Sequence, residues 1–157
     1  MTQKTAKKIG EAFAFAKVLQ DTFSQNKEVM NELLGDHGSL VLETTKAQQE
    51  SLISVAQHYT LAEVVLPKSE KTGAKITKMG EMYVGDDWDD VAEVLEWMSF
   101  FVGGAIVHWQ LISGSAEEMN DEKFQTVAQK GTDYYLGLLE QLRSYSVKIG
   151  KQRAQSE

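Results

Sequence analysis

Apolar side chains recur along most of the chain at alternating spacings of three and four residues. An α-helix completes a turn every 3.6 residues, so this spacing gathers the apolar side chains on one helix face. The pattern predicts helices over residues 5–34, 39–66, 87–113 and 121–148. The third helix carries a second apolar stripe beside the first, which contains Val94, Trp97, Phe101, Gly104 and Leu111. We therefore expect the third helix to be covered on two sides.

The segments between these stretches predict how the helices connect. Gly35 and Gly38 supply a turn after the first helix, and residues 115–120 contain a capping pattern before the fourth. Pro67 is predicted to end the second helix, because proline has no N–H to donate. Residues 67–85 then join two hairpins, and residues 74–84 can form a short amphipathic helix. The predicted fold is all-α, a four-helix bundle of two antiparallel hairpins joined by a long crossover, in one domain over residues 1–157.

Two hairpins joined by a long connection resemble the ferritin-like four-helix-bundle superfamily. The resemblance implies an interior metal site built from glutamates and Glu-x-x-His motifs. This sequence departs from that pattern, because Glu50 is followed three residues later by Ile53, Glu140 is followed by Arg143, and no Glu-x-x-His occurs. The resemblance therefore concerns architecture, and we expect no standard di-iron site.

Charge and composition narrow the range of partners. The net charge is −7 with acids and bases interspersed, so we expect no nucleic-acid partner. The apolar run at 94–112 contains Glu96 and His108 and has no basic flank, so we interpret it as a buried helix and expect no membrane partner. The chain has no cysteine and no apolar N-terminal signal segment, which fits a cytoplasmic protein.

Candidate chemistry is sparse. No phosphate-binding loop, nucleophile motif or paired zinc-binding histidines occur, so an enzymatic role is not favoured. No acid falls on the apolar faces as drawn. The acids beside these faces are predicted to be solvated, namely Glu43, Glu50, Glu93, Glu96 and Glu140. His108 flanks the apolar stripe and is either a core histidine or a ligand. Together with His58 it is the only candidate for an atypical metal site; no cofactor is predicted, and metal or haem stays open.

Folding the first hairpin about its turn places Asn26 opposite Gln48, the only amide side chains on the two apolar faces. They are interpreted either as a mutually hydrogen-bonded pair that fixes the register or as a polar spot that touches a ligand. Folding the second hairpin places Gly103 opposite Gly131.

Glycine destabilises a helix interior by about 1 kcal/mol, so Gly103 and Gly104 need a structural reason. One interpretation is close helix approach or room for an aromatic ring. The other is a cavity beneath Trp97, Phe101, His108 and Tyr135 that admits a small apolar ligand.

Two functions remain open. The first is a non-enzymatic bundle that self-associates, as a dimer through the third helix, or binds a partner through that helix or residues 74–84. The alternative is a ferritin-like domain that binds a small apolar ligand or an atypical metal in its interior.

Overall fold

The computed structural model describes residues 1–155, and every regular element within them is helical. The elements are α1 (Gln3–Gln25), α2 (Lys27–Leu34), a 3-10 segment (Gly35–Leu40), α3 (Val41–His58), α4 (Ala62–Val84), α5 (Val91–Glu118) and α6 (Glu122–Arg153). The all-α prediction is confirmed.

Side-chain caps begin three of these helices. Thr2 accepts a hydrogen bond from the backbone N–H of Thr5, Asp90 from that of Ala92, and Asp121 from that of Phe124. Each cap satisfies a backbone donor that has no partner inside its helix. They explain why α5 and α6 begin close to the positions that the sequence predicts.

The first predicted helix is interrupted at Asn26. This residue has φ −124° and ψ 46°, and its side-chain nitrogen donates to the carbonyl of Thr22 at 3.1 Å. Asparagine competes for backbone hydrogen bonds in this way, which makes it a common break point. Residues 5–34 therefore form most of α1 and all of α2 rather than one continuous helix.

The second predicted helix, 39–66, is wrong in its end point. The chain turns at residues 59–61, where Thr60 has a positive φ of 54°, and α4 begins at Ala62. Pro67 lies near the start of α4, where it removes one backbone hydrogen bond without ending the helix. Burial of Val65 and Ile76 on one face of α4 helps to offset that loss. The predicted crossover is thus a full helix, and the short helix proposed at 74–84 is its second half.

Contacts between helices fix their directions. Gln49 on α3 donates to Gln20 on α1 at 2.8 Å, and α3 runs antiparallel to α1. The chain then returns along α1 in α4, because Gly10 approaches Val65 while Val18 approaches Gly73. In consequence α4 runs parallel to α1.

The last two helices run in opposite directions. Glu11 on α1 lies beside His108 on α5, whereas Phe15 further along α1 packs against Phe101 with ring centroids 5.2 Å apart. Gln125 on α6 donates to the carbonyl of Ala116 on α5, whereas Gly131 further along α6 lies against Trp109. Accordingly α5 is antiparallel to α1, and α6 is antiparallel to α5. One hydrophobic core draws side chains from all six α-helices.

The third predicted helix, α5, is packed against α1, α4 and α6. It is also long and apolar enough to cross a membrane, and half of its most apolar 18-residue window is buried inside the bundle. A core helix has this composition as readily as a membrane span. Its remaining face is open and apolar, as described below.

Candidate ligand pocket and the exposed face of α5

A pocket of about 300 Å³ lies between α4 and α5, with α1 beneath it. We refer to it as the α4–α5 pocket. Its lining includes Phe15, Ile76, Met79, Trp97, Phe101 and His108. Three of the predicted ligand-binding residues, Trp97, Phe101 and His108, therefore line one pocket.

Two glycines let aromatic rings lie against bare backbone at this pocket. A Cβ atom on Gly104 would lie 3.2 Å from Cζ of Phe15, and one on Gly80 would lie 3.0 Å from Cε2 of Trp97. Both distances are tighter than ordinary van der Waals contact. A larger side chain at either position would collide with the ring, so glycine is required. At Gly104 this packing explains why the helix contains a residue that lowers helix stability.

The aromatic rings around the pocket form a continuous series of ring-to-ring contacts. The Phe15 ring centroid is 5.2 Å from that of Phe101 and 5.0 Å from that of His108, and Trp97 lies 6.3 Å from Phe101. Separations of this size are typical of favourable tilted and edge-to-face pairs. The pocket walls are consequently held by ring contacts from two helices.

One acid is buried at the end of this pocket. The whole of Glu11 on α1 is 8% exposed, and its carboxylate lies 2.7 Å from Nζ of Lys8, 2.7 Å from Nζ of Lys68 and 3.1 Å from Nδ1 of His108. The histidine contact is within ion-pair distance, but Nδ1 lacks the alignment of a hydrogen bond. Glu11 lies beside the predicted apolar face of the first helix, and the sequence pattern did not single it out.

Burial raises the pKa of the Glu11 carboxyl, but hydrogen bonds from Lys68 and Lys8 and their charges outweigh it, so the net shift is downward. Burial lowers the pKa of His108, and this outweighs the raising effect of Glu11. Near neutral pH, Glu11 is therefore ionised and His108 is neutral. A carboxylate can only accept, so the single ring proton of His108 sits on Nδ1, toward Glu11.

The remaining second-hairpin residues lie away from the pocket. A Cβ atom on Gly131 would lie 2.1 Å from Cε3 of Trp109, and Tyr135 is fully buried with its ring 6.3 Å from Trp109. A Cβ atom on Gly103 would meet nothing within 4 Å. The predicted pairing of Gly103 with Gly131 is therefore wrong. Helix α5 extends to Glu118, which moves the turn and places Trp109 opposite Gly131.

The predicted pair of Asn26 and Gln48 is also wrong. Asn26 bonds within its own helix, and neither amide atom of the buried Gln48 has a hydrogen-bond partner among residues 1–155. The amide pair that does join α1 and α3 is Gln20 with Gln49. The helix break at Asn26 and the 3-10 segment shift the register away from a simple folded hairpin.

The two candidate metal-binding histidines have different surroundings. His58 is exposed and packs edge-on against Tyr59, whose hydroxyl donates to Asp121 at 2.6 Å, whereas His108 contacts Glu11. No group of three or more His, Asp, Glu or Cys side chains in the described part of the chain could hold a metal ion. The structure lends the atypical metal site no support.

The outward face of α5 carries three exposed apolar side chains, with the exposed Gln110 beside them. Phe100 is 64% exposed, Val107 is 55% exposed and Leu111 is 47% exposed. Spacings of seven and four residues place these three side chains in line along the helix. Gly103 lies between the first two, with open space where a side chain would be.

A groove of about 560 Å³ lies on the other side of Phe100, between α5 and the end of α6. Tyr83, Glu96 and Ile149 are among its lining residues. The Tyr83 hydroxyl donates to Glu96 at 3.0 Å, and this bond raises the pKa of the tyrosine. Phe100 thus forms a ridge between two concave surfaces.

Comparison with protein-family models, with curated proteins and with solved structures finds no match for this chain. The class of protein that the fold defines is an all-helical domain with the open α5 face and the α4–α5 pocket.

Proposed function

We propose that this chain is a non-enzymatic helical bundle that acts as a homodimer joined through the outward face of α5. The observation that carries the proposal is the line of exposed side chains Phe100, Val107 and Leu111. We define these three residues as the α5 face.

The apolar area around the α5 face is close to what a dimer needs. Neighbouring residues of α4 add to it, namely Met79, Met82 and Tyr83. Taking about 200 Å² for a fully exposed side chain of this size, the six side chains expose roughly 650 Å². The largest apolar patch on a typical monomer is about 300–600 Å², and a standard interface buries about 800 Å² on each partner.

The α5 face is complementary to itself. If two copies of α5 pair antiparallel about a twofold axis near residues 105 and 106, Phe100 lies level with Leu111 of the second copy. Val107 of the second copy then lies level with Gly104, beside the open space at Gly103. A twofold interface requires this kind of self-matching surface.

Charge favours a second copy over a lipid surface. Glu93 and Glu96 continue along the outward side of α5, and Asp86, Asp87, Asp89 and Asp90 precede the helix. Anionic lipid would repel this end of the face. A second copy in the antiparallel arrangement keeps the Glu93 and Glu96 ends of the two helices apart, and it brings Glu93 level with Glu118 of the second copy.

A second proposal concerns the order in which the helices are connected in the bundle. We infer a ferritin-like order in which α4 takes the place of the long crossover. Support comes from the path of α4, which carries the chain from the end of α3 back along α1 to the start of α5.

Light scattering coupled to size-exclusion chromatography tests the dimer at micromolar concentration. The wild type is expected at twice the 17.5 kDa chain mass. Leu111→Glu buries an unpaired carboxylate in the interface, which costs about 3 kcal/mol or more than a hundredfold in Kd. That variant is expected to be monomeric.

Leu42→Glu is the matched control, because Leu42 is 42% exposed on α3, which packs against α1, α4 and α6. It is expected to remain dimeric. A wild type that is monomeric up to 100-fold higher concentration overturns the proposal. So does a monomer that sediments with lipid vesicles through Leu111, because the membrane is then the occupant of the face.

A further inference from the structure

We infer that the α4–α5 pocket binds a small neutral aromatic molecule that carries one hydrogen-bond donor, a hydroxyl or an N–H group. This inference goes beyond the proposed dimer, and the two share Phe100 and Met79, which line the pocket and also belong to the apolar area counted for the dimer. The pocket volume of about 300 Å³ lies at the lower end of the range for small-molecule sites, which suits a ligand of one or two fused rings.

The pocket is built to receive a ring. Phe15, Trp97 and Phe101 present aromatic surface from α1 and α5, and ring pairs prefer offset or edge-to-face contact. Gly80 and Gly104 let Trp97 and Phe15 pack directly against helix backbone, and this close contact holds each ring on that side. The walls are therefore preorganised, which reduces the entropy lost on binding.

His108 provides the polar recognition. Its Nδ1 is buried against Glu11, while its side chain is 26% exposed and lines the pocket. The open edge of the ring thus carries Nε2. Because the ring proton sits on Nδ1, Nε2 presents a lone pair that accepts a hydrogen bond. A ligand donor satisfies this acceptor.

Charge at the pocket selects a neutral ligand. Lys75 is among the lining residues, and its positive charge disfavours a cation. At the other end the carboxylate of Glu11 is already paired with Lys8 and Lys68, and the His108 lone pair disfavours an anionic oxygen. A neutral molecule avoids both penalties.

Indole and 1-methylindole are suitable probes, because methylation removes the N–H donor and leaves the ring system. Isothermal calorimetry and saturation-transfer NMR are expected to show indole binding, with 1-methylindole about tenfold weaker through loss of one hydrogen bond. His108→Phe keeps a ring at the site and removes the acceptor. In that variant the two probes are expected to bind equally.

Thr72→Phe places a ring in the pocket, and it is expected to abolish binding of both probes. Thr77→Phe is the matched control on the same helix, since Thr77 lies outside this pocket and is exposed. It is expected to bind as the wild type does.

All measurements are repeated in Leu111→Glu, so that a failed dimer and a failed pocket can be told apart. The inference is overturned if indole does not bind at millimolar concentration in either background. Equal weakening by Thr72→Phe and Thr77→Phe also overturns it, as does an unchanged preference for indole in His108→Phe.

Discussion

Gly131 and Gly114 offer the same substitution in opposite surroundings, and the packing predicts opposite effects on stability. Both lie inside long helices, Gly131 in α6 and Gly114 in α5. Replacing glycine by alanine inside a helix stabilises it by about 1 kcal/mol when nothing else changes. A Cβ atom on Gly114 would meet nothing within 4 Å, so Gly114→Ala should gain that amount.

At Gly131 the new methyl group has no room. Its Cβ atom would lie 2.1, 2.3 and 2.4 Å from three ring atoms of Trp109, where ordinary contact begins near 3.4 Å. The ring would have to move by more than 1 Å, and it is fully buried beside Tyr135. Overpacking of this kind costs about 3 kcal/mol. After the helix gain of about 1 kcal/mol, Gly131→Ala should lose about 2 kcal/mol net.

Urea and thermal unfolding followed by circular dichroism measure both variants. For a chain of this size about 1 kcal/mol corresponds to a shift of about 2–4 °C in Tm. We expect Gly131→Ala to unfold about 4–8 °C below the wild type and Gly114→Ala to unfold about 2–4 °C above it. Equal shifts in the two variants, or a stabilised Gly131→Ala, would refute the placement of Trp109 over Gly131.

Three further predictions concern acid sensitivity and capping. The pKa of the Glu11 carboxyl is lowered below its ordinary value of 4.5, so the ionised carboxylate stabilises the fold above pH 4.5 and this stabilisation is lost as the pH falls further. Urea unfolding at several pH values should therefore show a flatter dependence of stability on pH below 4.5 in Glu11→Gln. The pKa of His108 is lowered below 6.5, so folding favours the neutral ring and the free energy of unfolding falls as the pH drops below 6.5. His108→Gln should remove this pH dependence. An unchanged pH dependence in the variant would contradict the burial of the ring. Asp121→Ala should cost about 1 kcal/mol in unfolding free energy by removing the cap of α6, whereas Asp121→Asn should cost less; equal losses would count against the cap.

The sequence predicted helices where local signals and burial agree. Helices α5 and α6 follow their apolar periodicity, with Asp90 and Asp121 as caps. Pro67 misled the boundary of the second helix, because a proline near a helix start costs one hydrogen bond and burial of α4 against α1 offsets it. The true break at residues 59–61 depends on Thr60 adopting a positive φ, which no local residue pattern announces.

The candidate pocket was predicted in part. Trp97, Phe101 and His108 lie on one side of α5, which the helical spacing reveals. Tyr135 was misplaced because the register of α5 against α6 depends on the extra turns at the end of α5. Glu11 was missed because α1 is covered by α3, α4 and α5, so a residue beside its apolar face is buried too. The alanines at positions 6, 12, 14 and 16 are a signal of that coverage, because small residues allow close helix packing.

The central claim is that two copies of α5 pair antiparallel about residues 105 and 106, and a distance between copies tests it most directly. The chain has no cysteine, so Glu117→Cys provides one labelling site on the exposed end of α5. With a rise of about 1.5 Å per residue, spin labels at this position should lie about 35 Å apart in the dimer. Double electron–electron resonance should show that distance in the wild-type background and no dipolar signal with Leu111→Glu. Dipolar broadening of the continuous-wave spectrum, which labels about 10 Å apart produce, would indicate parallel pairing. Neither broadening nor a dipolar signal in the wild-type background would indicate no dimer, and either result would contradict the claim.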